Sequence, residues 1–74
     1  MDEIRYGVIG TGMMGIEHIE NIAEVDGARV TAVSDPDPVS LANGANNVGQ
    51  GVATFADHRD LLEADVCDAV VLVS

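Results

Sequence analysis

Three glycines at fixed spacing, in Gly10-Thr11-Gly12-Met13-Met14-Gly15, stand between a short apolar run and an amphipathic one, and they constrain the fold more than any other feature. The run before them, Ile4 to Ile9, is mostly apolar and ends at the first glycine, the pattern of a buried parallel strand. After them the period changes. Ile16, Ile19, Ile22 and Ala23 recur at helical spacing, while Glu17, Glu20, Asn21 and Glu24 occupy the other face. Asp26-Gly27 supplies the turn that stops this helix. Ala28 to Ser34, rich in β-branched residues and closed by Asp35-Pro36, then predicts a second strand. Strand, glycine turn, helix and strand make one βαβ unit.

The next segment is weaker. Asp37-Pro38 can cap and open a helix, with proline at its first position. Asn43, Gly44, Asn46, Asn47 and Gly49 disfavour continuation, so a short, frayed helix followed by loop is expected. Val52 to Phe55 reads as a third strand, Asp57 caps a small helix through Leu61-Leu62-Glu63, and Asp68 to Val73 reads as a fourth strand. This alternation predicts an α/β fold with a parallel sheet and helices on both faces. Right-handed crossovers give the strand order 3-2-1-4, a partial doubly wound sheet truncated after its fourth strand. Seventy-four residues is about half of an ordinary domain. Residues 1–74 are therefore expected to be the N-terminal part of a dinucleotide-binding domain, with the remainder and a substrate domain downstream.

Each glycine has a steric reason in that fold. Gly10 permits the tight turn out of the strand, Gly12 lets the backbone approach a pyrophosphate, and Gly15 lets the helix pack close to the strand. A phosphate arriving there meets unsatisfied N–H groups and the positive end of a helix dipole. Thr11 completes the loop, and Met13 and Met14 would contribute mainly backbone N–H groups, with one side chain covering the nicotinamide side of the pocket. Three glycines alone can arise by chance and need mean no more than a tight turn. The preceding strand, the following helix and Asp35, about 20 residues past Gly15, complete the dinucleotide fingerprint. A carboxylate at Asp35 can accept hydrogen bonds from ribose hydroxyls and would repel a 2′-phosphate, and Pro36 and Asp37 bring no compensating cation. NAD is expected over NADP. The plainer role for Asp35 is to cap the turn before Pro36.

Charge bounds the partners. Thirteen acidic residues face three arginines, which leaves a formal net charge of −10. Such a surface repels nucleic-acid phosphates and anionic membranes. It fits either an acidic chain balanced by basic residues downstream or a salt-filled cytoplasm in which self-repulsion is screened. The acidic N-terminus is unlike a signal peptide, and no stretch approaches the roughly 20 apolar residues of a membrane span. A cytoplasmic location is expected. Cys67, alone, reads as a small core residue, His18 as structural and His58 as solvated. Glu17, Glu20 and Glu24 read as a solvated helix face, and no Cys/His cluster has metal-ligand spacing.

The run Ile4-Arg5-Tyr6-Gly7-Val8-Ile9 through Gly15, with His18 three residues on, resembles the N-terminus of the Gfo/Idh/MocA oxidoreductases. Ala32 to Asp37, Phe55-Ala56-Asp57, Leu61-Leu62 and Val66 to Val70 are similar to later parts of the same domain. The resemblance covers essentially the whole chain but about the first fifth of a typical member. It implies an NAD(P)-dependent enzyme that passes a hydride between the cofactor and a sugar, cyclitol or related polyol. The glycine loop, Asp35 and Ser74 would lie against the cofactor. The family's Glu-Lys-Pro segment, its proton-transfer Lys and His and its substrate domain would lie beyond Ser74, so no catalytic residue is assigned here. The Asn/Gly-rich stretch from Asn43 to Gly51 is looser than the family's second helix. A homo-oligomeric parent is also expected. Two other readings stay open: a non-catalytic NAD-binding regulatory module, and another dehydrogenase such as an aspartate or homoserine dehydrogenase or a dihydrodipicolinate reductase.

Overall fold

Four parallel strands form one sheet, in which the order across the sheet is third, second, first and fourth along the chain, as the right-handed crossovers require. The structure is a computed structural model and describes residues 3–49 and 51–73. In chain order the elements are β1 (Ile4–Ile9), α1 (Met13–Ala23), β2 (Ala28–Ser34), α2 (Pro38–Val48), β3 (Ala53–Phe55), α3 (His58–Glu63) and β4 (Ala69–Leu72).

Alternation along β1 sorts the two faces of the sheet. Val8 is fully buried and joins Ile19 of α1 and Val33 of β2 in the core, with Leu41, Ala45 and Val48 of α2 packed against them. Its neighbour Gly7 faces the other way, where a side chain would meet Cys67 and Leu61. So α1 and α2 cover one face and α3 the opposite one. Between Tyr6 and Gly7 the register with β2 slips by one residue, which leaves Thr31 unpaired in the ladder. The Thr31 hydroxyl donates to the Val66 carbonyl at 2.6 Å, tying β2 to the segment that leads into β4.

The second helix departs from expectation. It runs for 11 residues rather than fraying after its first turn. Asp37 accepts hydrogen bonds from the Ser40 N–H at 3.2 Å and the Ser40 hydroxyl at 2.8 Å, and Pro38 pre-sets the first turn. Leu41, Ala45 and Val48 then bury one stripe, and that packing outweighs the weak propensity of the Asn and Gly positions. Gly44 is buried rather than a breaker: a Cβ there would lie 2.7 Å from Thr11 Cβ and Cγ2. The ladder also trims two strands relative to expectation. β3 begins at Ala53, opposite Ala32, and β4 spans Ala69–Leu72. No helix among the described residues is long and apolar enough to cross a membrane.

Candidate functional site

All four strands point their carboxyl ends to one rim, where the glycine loop leads from β1 into α1. Gly10 has φ +97, a conformation that L side chains rarely adopt, and a Cβ there would overlap the Val73 carbonyl oxygen. Its N–H donates to the Ser34 carbonyl at 2.8 Å, which locks the loop to the end of β2. Gly15 is buried, and a Cβ on it would collide with the Gly10 carbonyl. These contacts hold the first turn of α1 directly over the end of β1. Gly12, by contrast, is exposed and would meet nothing within 4 Å. It is the helix N-cap, has no side-chain cap, and its carbonyl takes the Ile16 N–H at 3.0 Å. The N–H groups of Met13, Met14 and Gly15 are left without a helical partner. Both Met side chains are exposed, at 87% and 57%.

Two adjoining clefts meet at this rim. One, of about 320 Å³, is lined by Gly10 and by Gly12 through Gly15 together with Asp35 and Val73. The other, of about 540 Å³, shares Gly10, Asp35 and Val73 with it and continues past Pro36 to Ala56, Asp57, His58 and Arg59. An elongated ligand with its anionic centre at the α1 N-terminus would therefore pass Asp35 on its way to the β3–α3 loop. The first turn of α1 offers N–H groups and the positive end of a helix dipole, and the open space over Gly12 admits a close approach. These features fit a dinucleotide pyrophosphate.

Asp35 is half-buried and anchored by backbone. Oδ2 accepts the Thr11 N–H at 2.8 Å and Oδ1 accepts the Asp37 N–H at 2.8 Å. It thus performs the turn-capping role before Pro36 while still lining the cleft. Thr11 lies differently from its neighbours in the loop: it is fully buried, and both its N–H and its hydroxyl are directed inward. Ser74 lies outside the described residues.

The electrostatics are those of an acidic surface whose arginines, among the described residues, are all engaged. Arg5 makes a two-pronged pair with Asp68, Arg29 pairs with Glu3 at 3.3 Å, and Arg59 pairs with Asp57 at 2.8 Å. The Arg59 side chain, then its backbone N–H, holds the Asp57 carboxyl down at about 2. Burial pushes the half-buried Cys67 thiol up, away from a reactive thiolate, in keeping with its place against Gly7. His18 is exposed on α1, and His58 is exposed at the start of α3. Glu17, Glu20 and Glu24 are exposed as well.

Three contributors were not legible as site residues: Ser40 and Gly44, which hold Thr11 from the α2 side, and the Asp57–Arg59 pair at the far end of the cleft. A glycine inside an otherwise helical stretch was the available signal for Gly44, since such a residue usually has a packing reason.

A parallel α/β sheet with a glycine turn, an open helix N-terminus and an acidic residue at the tip of the second strand defines a dinucleotide-binding protein. The chain belongs to the Gfo/Idh/MocA oxidoreductase family with an NAD-binding Rossmann fold, which it matches over residues 4–74. It is 43% identical over 72 residues to inositol 2-dehydrogenase 1 of Saccharopolyspora erythraea, covering 96% of this chain and 21% of that protein. It is 38% identical over 82 residues to glycosyl hydrolase family 109 protein 2 of Shewanella sp. strain ANA-3, covering 100% of this chain and 18% of that one. The fold superposes with a TM-score of 0.89, at 34% identity, on myo-inositol dehydrogenase from Lactobacillus casei, solved with NAD(H) and myo-inositol, covering 97% of this chain and 22% of that one. The chain thus spans about a fifth of the length of these proteins. Family membership also decides among the similar dehydrogenase openings that the sequence left open.

Proposed function

We propose that the chain is the cofactor-binding portion of an NAD-dependent oxidoreductase acting on a sugar, cyclitol or related polyol. The observation that carries this reading is the Asp35 carboxylate, lining both clefts beside the glycine loop while every described arginine is already paired. Backbone N–H groups of Gly12 through Gly15 would hold the pyrophosphate, and Asp35 would orient the adenosine ribose and disfavour a 2′-phosphate. By the family resemblance, Ser74 would also meet the cofactor. The nicotinamide, when bound, supplies the hydride acceptor or donor. The relatives named for inositol dehydrogenation support a polyol substrate. The Shewanella relative brings glycosides into the same substrate class, and turnover of a glycoside against a free polyol separates the two readings.

The test is direct titration with NADH and NADPH. The unsubstituted protein is expected to prefer NADH, and Asp35→Ala to weaken NADH by roughly tenfold or more, the value of hydrogen bonds to a charged group, while leaving NADPH unchanged or tighter. Survival of the NADH preference in Asp35→Ala would overturn this role.

A cytoplasmic setting and a homo-oligomeric parent belong to the same proposal, and the net charge of −10 supports a protein that meets neither nucleic acid nor anionic membranes and keeps its fold in concentrated salt. The acidic residues of α1, Glu17 and Glu20, are exposed, as are Asp60, Glu63, Asp65 and Asp68. Salt that screens their mutual repulsion is expected to raise the thermal midpoint steadily from low to molar concentration. A midpoint indifferent to salt would leave the acidic surface as an ordinary solvated one.

A further inference from the structure

We propose that Thr11 is a positioning residue: its buried hydroxyl ties the glycine loop to α2 and so fixes the Asp35 carboxylate with two acceptor sites open toward the cleft. The inference rests on the dinucleotide reading above and adds to it the device that sets the ribose contact.

A hydroxyl carries one proton. Thr11 Oγ1 lies 2.8 Å from the Ser40 carbonyl oxygen and 3.4 Å from Asp35 Oδ2, so the proton belongs to Ser40, in the first turn of α2. The Asp35 carboxylate is therefore held by two backbone N–H groups, from Thr11 on Oδ2 and from Asp37 on Oδ1. A carboxylate offers about four lone-pair positions, two on each oxygen. One on each oxygen is used, and one on each remains. Two adjacent ribose hydroxyls, each bringing one proton, match that remainder. A 2′-phosphate brings negative charge in place of a proton and does not.

The geometry depends on where the loop stands relative to α2. Thr11 sets this by the Ser40 hydrogen bond and by seating its Cβ and Cγ2 on Gly44, where no larger residue fits without a shift. Valine at position 11 keeps the shape and loses the proton. Its added methyl would stand about where Oγ1 does, 2.8 Å from the Ser40 carbonyl oxygen, too close for a carbon, and would push the loop that carries the Asp35 hydrogen bond away from α2. The effect should be read in ligands that use the ribose hydroxyls and not in the others.

The experiment is a double-mutant cycle on the dissociation constants of NADH and NADPH, using Thr11→Val, Asp35→Ala and the pair. Thr11→Val is expected to weaken NADH about fivefold, the value of a disturbed hydrogen bond or two, and NADPH less than about twofold. In the Asp35→Ala background it should change neither. Thr11→Ser and Thr11→Ala, which differ only by the hydroxyl, carry the same test should the valine variant fail to fold: serine should keep the NADH preference and alanine lose it. Equal weakening of both cofactors by Thr11→Val, or a loss that adds in full to that of Asp35→Ala, overturns the proposal and leaves Thr11 a purely structural residue. An unsubstituted protein that binds neither dinucleotide overturns the dinucleotide reading, and this inference with it.

Discussion

Gly15→Ala is expected to unfold the protein or lower its thermal midpoint severely, while Gly12→Ala leaves the fold nearly intact and abolishes tight NADH binding. Alanine is the better helix former by about 1 kcal/mol, so propensity alone would make either change stabilising inside a helix. At Gly15 the added carbon would lie 2.8 Å from the Gly10 carbonyl carbon and closer still to its oxygen. That neighbour is backbone, fixed by the Gly10 N–H bond to Ser34, and cannot turn aside. The first turn of α1 must lift off the strand, at a cost on the order of 3 kcal/mol, several times the propensity gain. At Gly12 the added carbon meets nothing, and φ is an ordinary −71. The cost there is the loss of glycine at an N-cap position, below about 1 kcal/mol. The methyl would instead occupy the space that a pyrophosphate needs. Circular dichroism melts of both variants, with an NADH titration of Gly12→Ala, check the pair. A Gly15→Ala protein that melts normally, or a Gly12→Ala protein that binds NADH normally, would show that the two glycines do not divide their roles in this way.

What could be read from the residues and what could not divides along a physical line. β1 and β2 were legible because buried parallel strands need unbroken apolar or β-branched runs, and Ile4–Ile9 and Ala28–Ser34 are such runs. The glycine loop was legible because its constraints are local: a turn, an N-cap and a close approach within six residues. The full length of α2 is not legible in its residues because its stability is not local. Gly44 looked like a breaker, yet it is the residue that lets α2 reach Thr11, and Leu41, Ala45 and Val48 hold the helix through packing against β1 and β2 residues. The inward turn of Thr11 was beyond sequence reasoning for the same reason. It depends on the position of the Ser40 carbonyl, 29 residues away in the chain. Asp35 is legible by its spacing, but the two hydrogen bonds it accepts from the Thr11 and Asp37 N–H groups depend on the folded loop, and those bonds decide how many acceptor sites it has left.

Ile19→Ala is expected to bring the protein close to its unfolding limit at room temperature without altering its choice between NADH and NADPH. Ile19 is 2% exposed and is the buried residue through which α1 joins Val8 and Val33 in the core, with the partly buried Ile22 packed against the same cluster. Truncation removes the transfer free energy of its buried carbons and leaves a cavity beneath the helix, together about 2–5 kcal/mol. Native stability is on the order of 5–15 kcal/mol, and a small domain with a modest buried fraction sits toward the lower end. The core of fully buried apolar side chains is small, namely Val8, Ile19, Ala32, Val33 and Leu61 among the described residues, so no neighbouring layer can take up the loss. In a domain of this size each kcal/mol moves the midpoint by about 4–8 °C, which places the expected drop at about 8 °C or more. Leu72→Ala provides the contrast: at 76% exposure its truncation should stay within about 0.5 kcal/mol, even though the side chain removed is of equal size. Because Ile19 lies under the helix and away from both clefts, any NADH binding that survives in Ile19→Ala at low temperature should keep its preference over NADPH. A midpoint for Ile19→Ala equal to that of Leu72→Ala would mean that α1 does not hold the sheet through this side chain. The anchoring of the glycine loop over β1 would then rest on Ile22 and on the close approach of Gly10 and Gly15.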